Sequence, residues 1–264
     1  MNSLLNHLLR IENRVDTVTP TLQSITNDIG DNSLPEISKQ LQKIVFQDYK
    51  FAYSKKSHNF FSFIDTRLGH CVDFSLLYYF IFDTLEKESS IIAAPFHALV
   101  HATDKADNYY IESTDGKLAN LDFYISTRNI PVKSIENEIY LSDLRDNDVI
   151  AIYLNRKSEL SIMQEDFESA NTILKKALIY SQRVPEVYYN LGCVSKKLDA
   201  IDEAAQYFTS AIKLHSNFSQ AFNNLGTCYI QSGNRKKAKS CFKRAIELDH
   251  SKEAEHNLLQ LLNS

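Results

Sequence analysis

The chain has 264 residues, 44% of them hydrophobic and 23% charged, the usage of a folded globular protein with room for two domains. Twenty-nine Lys and Arg against 33 Asp and Glu give a net charge of −4, which leaves no basic field to hold a nucleic-acid backbone. The longest strongly apolar run, Phe74 to Phe82, is too short to cross a bilayer, so no membrane partner is expected.

The opening MNSLLNHLLRIENR has no basic leader and no small-residue cleavage site, which argues against secretion. Four cysteines without a Cys-x-x-Cys pair suit free thiols in a reducing cytosol. Leu4, Leu5, Leu8 and Leu9, then Val15 and Val18, fall at helical spacing. Asp31 to Pro35 reads as a loop and helix start, with Asn32 or Ser33 as cap. Leu41, Ile44 and Val45 then continue an amphipathic helix towards Phe51. A break at Gly69 precedes a long apolar helix from Val72 to Leu85. Beyond it the period changes: FHALVHA alternates, NYYIEST is short and aromatic-rich, Asp115-Gly116 is a hairpin-type turn, and DFYIS reads as a further strand. Residues 1–150 are therefore expected to form helices followed by an antiparallel sheet, an α+β arrangement.

Three residues of this half have the chemistry of a nucleophilic unit. Cys71 stands at the first turn of the apolar helix, where a helix N-terminus favours the reactive thiolate. His97 begins a strand and can act as general base, and Glu112 lies on the next strand, where antiparallel pairing brings its carboxylate to the imidazole. His101 shares a face with His97 and competes for the role of base. The two histidines are about 13 Å apart on an extended strand, too far to share one metal ion. The alternative for Cys71 is an inert buried core residue.

The segments LGHCVDFSLLYYFIFDTL, FHALV and NYYIESTDGK resemble the transglutaminase-like cysteine hydrolase core, more narrowly its bacterial SirB-type branch. The resemblance covers about residues 40–121 and places Cys71 on the nucleophile, His97 on the histidine and Glu112 on the acidic residue. It implies an α+β fold and a thioester mechanism that needs no metal or organic cofactor. Many SirB-type proteins carry proline where this chain has Cys71, so a retained thiol favours catalysis. Leu99 replaces the aromatic of true transglutaminases and the chain has no Trp, which points to amide hydrolysis or deamidation rather than cross-linking.

The C-terminal half repeats itself. VYYNLGCVSKKLDAIDEAAQYFTSAIKL, from Val187, aligns with AFNNLGTCYIQSGNRKKAKSCFKRAIEL, from Ala221, at a constant offset of 34. Ala170, Leu174 and Ala177 mark a degenerate earlier copy, and SKEAEHNLLQLLNS reads as a capping helix. These residues resemble the tetratricopeptide repeat, a pair of amphipathic helices, over about Ala151 to His250. Gly192, Ala204 and Ala211 fall where helix axes approach, while Leu191, Phe208 and Leu214 fill between helices. Asp199-Ala200 and Gly233-Asn234 mark the turns inside each repeat. Asn190 and Asn224 resemble groove asparagines that hold the backbone of a bound peptide; the alternative is that they solvate the inner face. The basic run from Arg235 to Arg244 reads as a solvated face, and Cys193, Cys228 and Cys241 as small core residues.

The expected architecture is an α+β transglutaminase-like domain at 1–150 and an all-α solenoid of three repeats with a cap at 151–264. The expected function is a cysteine hydrolase whose repeats recruit a protein or peptide. The alternative is a non-catalytic scaffold with a degenerate core.

Overall fold

The computed structural model describes residues 2–29, 32–54, 59–105 and 107–263; Asp31, expected in the first loop, lies outside them. The N-terminal apolar stripes form two helices, α1 (Ser3–Glu12) and α2 (Val18–Asn27). Asn2 caps the first through the N–H groups of Leu4 and Leu5, and Asp16 accepts from Val18 and Thr19 at the start of the second. Pro35 occupies the first turn of α3 (Leu34–Leu41), which passes into a π-helical stretch over Gln42–Asp48. A two-residue parallel pair, β1 (Ala52–Tyr53) with β2 (Leu68–Gly69), brackets α4 (Phe60–Thr66).

Helix α5 (Cys71–Thr84) is apolar on nearly every side because it is surrounded: α2, α4 and the sheet all pack on it. The sheet is antiparallel in the order β3 (Ser89–Ala94), β4 (His97–Asp104), β5 (Asp107–Glu112). DFYIS, expected as a strand, is instead helical in α6 (Leu121–Thr127). The Asn120 side chain accepts the Asp122 N–H at 2.9 Å and nucleates a turn, and the β-prone residues find no strand to pair with. A short α7 (Val132–Glu136) follows.

The remaining chain is paired helices: α8 (Asp146–Met163) with α9 (Phe167–Tyr180), α10 (Pro185–Lys197) with α11 (Ile201–Leu214), and α12 (Ser219–Gln231) with α13 (Arg235–Asp249). The terminal α14 (Lys252–Asn263) packs on α13. Each pair turns through a left-handed residue, and these recur at the repeat spacing: Glu165 (φ 60°), Asp199 (φ 59°) and Gly233 (φ 75°). A Cβ on Gly192 would lie 2.6 Å from the Phe208 ring, and one on Gly226 2.5 Å from Phe242, so both glycines are fixed by close packing. Leu214 departs from expectation. It is only half-buried and packs towards the α+β half, where its carbonyl accepts from Ser134 Oγ at 2.8 Å.

The boundary expected after residue 150 falls inside α8. One hydrophobic core runs from Leu4 through α5 to Leu174 and Leu191, and hydrogen bonds link the halves along one edge. Asn129 Nδ2 donates to Leu248 O at 3.2 Å, and Tyr140 OH donates to Glu186 Oε1 at 2.8 Å. Among the described residues, no helix is long and apolar enough to cross a membrane.

Two substitutions separate packing from backbone strain in the repeats. Gly226→Ala overpacks the Phe242 contact and lowers unfolding stability by about 1–3 kcal/mol. Glu165→Gly relieves the left-handed backbone and changes stability in the opposite direction, by up to about 1 kcal/mol. Urea unfolding of both variants checks the signs, and a neutral Gly226→Ala would show that α12 and α13 are not in close contact.

Candidate functional site

Cys71 opens α5 directly after His70, whose N–H donates to Asp73 Oδ2 at 2.8 Å. The sulfur lies 3.1 Å from His70 Nδ1. Cys71 is only 2% exposed. Burial pushes its thiol up to about 12; the backbone N–H groups of Ala98 and Val72 against the sulfur draw it down, and Asp73 and Glu112 add to the rise. Burial thus opposes the thiolate that the helix N-terminus favours.

In the β4–β5 ladder Leu99 faces Glu112. His97 shares a face with Leu99, so the imidazole reaches Glu112 diagonally. His97 Nε2 is 2.8 Å from Glu112 Oε2 and 3.1 Å from Oε1. Thr114 donates to Oε1 from its N–H at 3.0 Å and its hydroxyl at 2.7 Å, and Tyr124 OH donates to Oε2. The Tyr124 ring also stacks on His97, with centroids 5.7 Å apart and planes 10° apart. Burial alone would raise the Glu112 pKa, but the His97 hydrogen bond and charge, then Tyr124 and Thr114, hold it at about 2. His101 turns elsewhere: its Nδ1 is 2.7 Å from Asp143 Oδ1 and its Nε2 2.9 Å from Asn108 Oδ1.

Cys71 and His97 line one cavity of about 180 Å³, and His101 does not. With Nε2 committed to Glu112, Nδ1 is the ring nitrogen of His97 left for that space. The opposite wall comes from the repeats: Asn155, Arg156 and Glu159 of α8, and Glu186 of α10. Arg156 Nη1 pairs with Glu159 Oε2 at 2.5 Å. These α8 residues, like His70 and Tyr124, carry no signal in the sequence as site residues. A charged residue inside a helix that is otherwise buried, as Arg156 is at 5% exposure, is the one clue available.

Asn190 and Asn224 lie on the first helices of their repeats and are both half-buried. Asn190 Nδ2 donates to Asn155 Oδ1 at 3.0 Å. Asn224 receives the Lys196 ammonium on Oδ1 at 2.9 Å and donates to Tyr189 OH at 3.3 Å. A groove of about 560 Å³ opens beside them, lined by Lys196, Thr227, Arg235, Asn257 and Gln260 with Ile230, Phe242 and Leu261. Of the basic run, Lys237 lies over the Tyr229 ring at 5.2 Å and Arg244 pairs with Glu247 at 3.2 Å.

The folded-state pKa of Glu112 lies below its unfolded value of 4.5, so its ionised form stabilises the fold fully above pH 4.5 and loses that effect as pH falls towards about 2. The stability gap between the wild type and Glu112→Gln is expected to be largest above pH 4.5 and to narrow below it. A gap independent of pH in denaturant titrations would show that His97 and Tyr124 do not hold the carboxylate.

The tetratricopeptide repeat family model matches residues 185–218 and again 219–252. Response regulator aspartate phosphatase E of Bacillus subtilis is 28% identical over 117 residues, which is 41% of this chain and 30% of that protein. Heat shock protein STI1 of Saccharomyces cerevisiae is 28% identical over 91 residues, 34% of this chain and 15% of its own length. The chain thus spans less than a third of these relatives. Among solved structures, the second TPR domain of human RPAP3, determined with the HSP70 peptide SGPTIEEVD, is 21% identical. It aligns over 45% of this chain and 99% of its own, with a TM-score of 0.43. Residues 185–252 are two tetratricopeptide repeats, set in a mostly helical chain with one small sheet.

Proposed function

We propose that this chain is a non-catalytic scaffold whose repeats hold an extended peptide segment of a partner protein. The observation that carries the reading is the row of donors on the first helices. Lys196, Thr227, Arg235, Asn257 and Gln260 line a groove on the repeats, with Asn224 held behind Lys196 and Asn190 further along the same row of helices at Asn155. Amides and cations spaced in this way suit the carbonyls of an extended chain. The repeat unit begins at α8 rather than at residue 151, and the α+β half buttresses it. The test is peptide binding by the full chain. Asn190→Ala with Asn224→Ala is expected to weaken affinity by about 1–3 kcal/mol, because buried backbone groups of the peptide lose partners. Cys71→Ala is expected to leave it unchanged. An affinity that survives loss of both amides would sink the groove assignment.

The second reading is the cysteine hydrolase, with Cys71 attacking an amide carbonyl, His97 moving the proton and Glu112 orienting His97. Its support is specific: the His97–Glu112 pair at 2.8 Å and a thiol at a helix N-terminus border the same cavity. The buried thiol speaks for the scaffold. Iodoacetamide near pH 6 is therefore expected to label Cys71 more slowly than the half-buried Cys193 and Cys241, as read by mass spectrometry of each site. If Cys71 labels first, and ammonia or new amino termini appear from a protein substrate only when Cys71 is present, the hydrolase replaces the scaffold.

A further inference from the structure

We infer that the cavity between the two halves is a side-chain subsite for the peptide held by the repeats, accepting one uncharged, largely apolar residue. The inference rests on the scaffold reading above and specifies where the peptide ends its path. The first helices α8, α10, α12 and α14 touch in sequence and form one row. Asn155 stands at the head of that row, where it lines the cavity and receives the Asn190 amide at 3.0 Å. Tyr189, next to Asn190, accepts from Asn224, which in turn receives Lys196 at the edge of the larger groove. One polar track therefore leads from the groove into the cavity. Asn155 Oδ1 is used by Asn190, while its Nδ2 has no partner among the described residues, leaving a donor for a peptide carbonyl.

The walls decide the class of side chain. Val72, Ala94, Ile152 and Val184 make one part of the lining apolar, and Ala94 leaves depth where a larger residue would fill it. The one cation, Arg156, is matched by Glu159 at 2.5 Å, and Glu186 is buried and already accepts Tyr140. Among the described lining residues no excess charge remains to balance a charged ligand group, and two carboxyl groups oppose an acidic one.

Phe96 supplies an independent observation at the rim. It is the second residue of the two-residue turn between β3 and β4, with φ 56°, a position that favours glycine and is strained for a bulky side chain. Its N–H is held by Glu186 Oε1 at 3.2 Å, yet the residue remains 47% exposed, its ring edge-on to Tyr189 at 6.2 Å and Phe218 at 5.4 Å. A strained, exposed aromatic that borders a cavity and touches the amide track is placed to cover a bound side chain.

The test selects peptides from a random phage-displayed library on the full chain and uses one synthetic, end-blocked winner as probe. Its affinity should fall at least about tenfold for Ile152→Trp, which fills the cavity, and for Phe96→Gly, which removes the rim. Replacing one apolar peptide residue by Glu should cost a similar factor in the wild type and little further in Ile152→Trp. Should Ile152→Trp fail to fold, ring signals of His97 in the wild type decide: they shift on peptide addition while those of His7, held by Tyr180 away from both cavities, do not. A probe that loses affinity with Asn224→Ala but binds both cavity variants normally and leaves His97 unmoved overturns the subsite and spares the scaffold. A library that yields no binder, or only binders indifferent to Asn224→Ala, overturns both.

Discussion

The carboxyl of Glu186 is the point on which the relation between the two halves depends. It stands on the first turn of α10, 8% exposed, with no cation paired to it among the described residues. Burial drives its pKa up, so the group tends to its neutral form, and it is satisfied by donors from the other half: the Tyr140 hydroxyl at 2.8 Å and the Phe96 N–H at 3.2 Å. Tyr140 also lies 3.4 Å from Nδ1 of His215, whose own pKa burial lowers to about 4. Tyr140 is a neutral donor and burial keeps His215 neutral near pH 7, so no buried ion pair forms here among the described residues. Removing the α+β half would take away both donors and open the carboxyl to water, so the two bonds contribute about 0.5–1.5 kcal/mol each to holding the halves together. The repeats lean on that half instead of standing apart from it.

This dependence explains which parts of the fold were legible from the residues. In a repeat array most contacts are local and recur at a fixed offset, so Gly192 with Phe208 and Gly226 with Phe242 announce themselves as one contact written twice. The turn positions Glu165, Asp199 and Gly233 obey the same offset; Gly233 is the strong signal, Asp199 a weaker one, and Glu165 none. Leu214 broke the pattern because its neighbour is not another repeat but α7, and no periodicity encodes a contact made once. The boundary at residue 150 failed to mark a structural break for the same reason: α8 packs on α9 within the solenoid and on α5 beyond it.

The candidate site divides along similar lines. Alternation along two adjacent strands was enough to bring His97 and Glu112 together, since side chains two apart share a face. Tyr124, which both stacks on His97 and donates to Glu112, was invisible because its segment carries strand-forming residues and yet follows an Asn cap into a helix. Asn155, Arg156 and Glu159 lie at least 58 residues further along the chain than His70 to His97, and only the shared core delivers them to the cavity. Long-range packing, not local propensity, built that wall.

Cys71 shows how two correct local statements can be outranked by a third. It does begin a helix, and it does border the same cavity as the histidine that pairs with Glu112. A helix N-terminus contributes about 0.3–1 kcal/mol to an anion, less than one unit of pKa, whereas full burial of an ionisable group shifts it by several units. With Cys71 2% exposed, burial pushes its thiol pKa up and so favours the neutral form. The His97–Glu112–Tyr124 cluster keeps a clear role without it. It ties β4, β5 and α6 together through a carboxylate that accepts from three side chains, and so fixes the strand from which Phe96 projects towards the repeats.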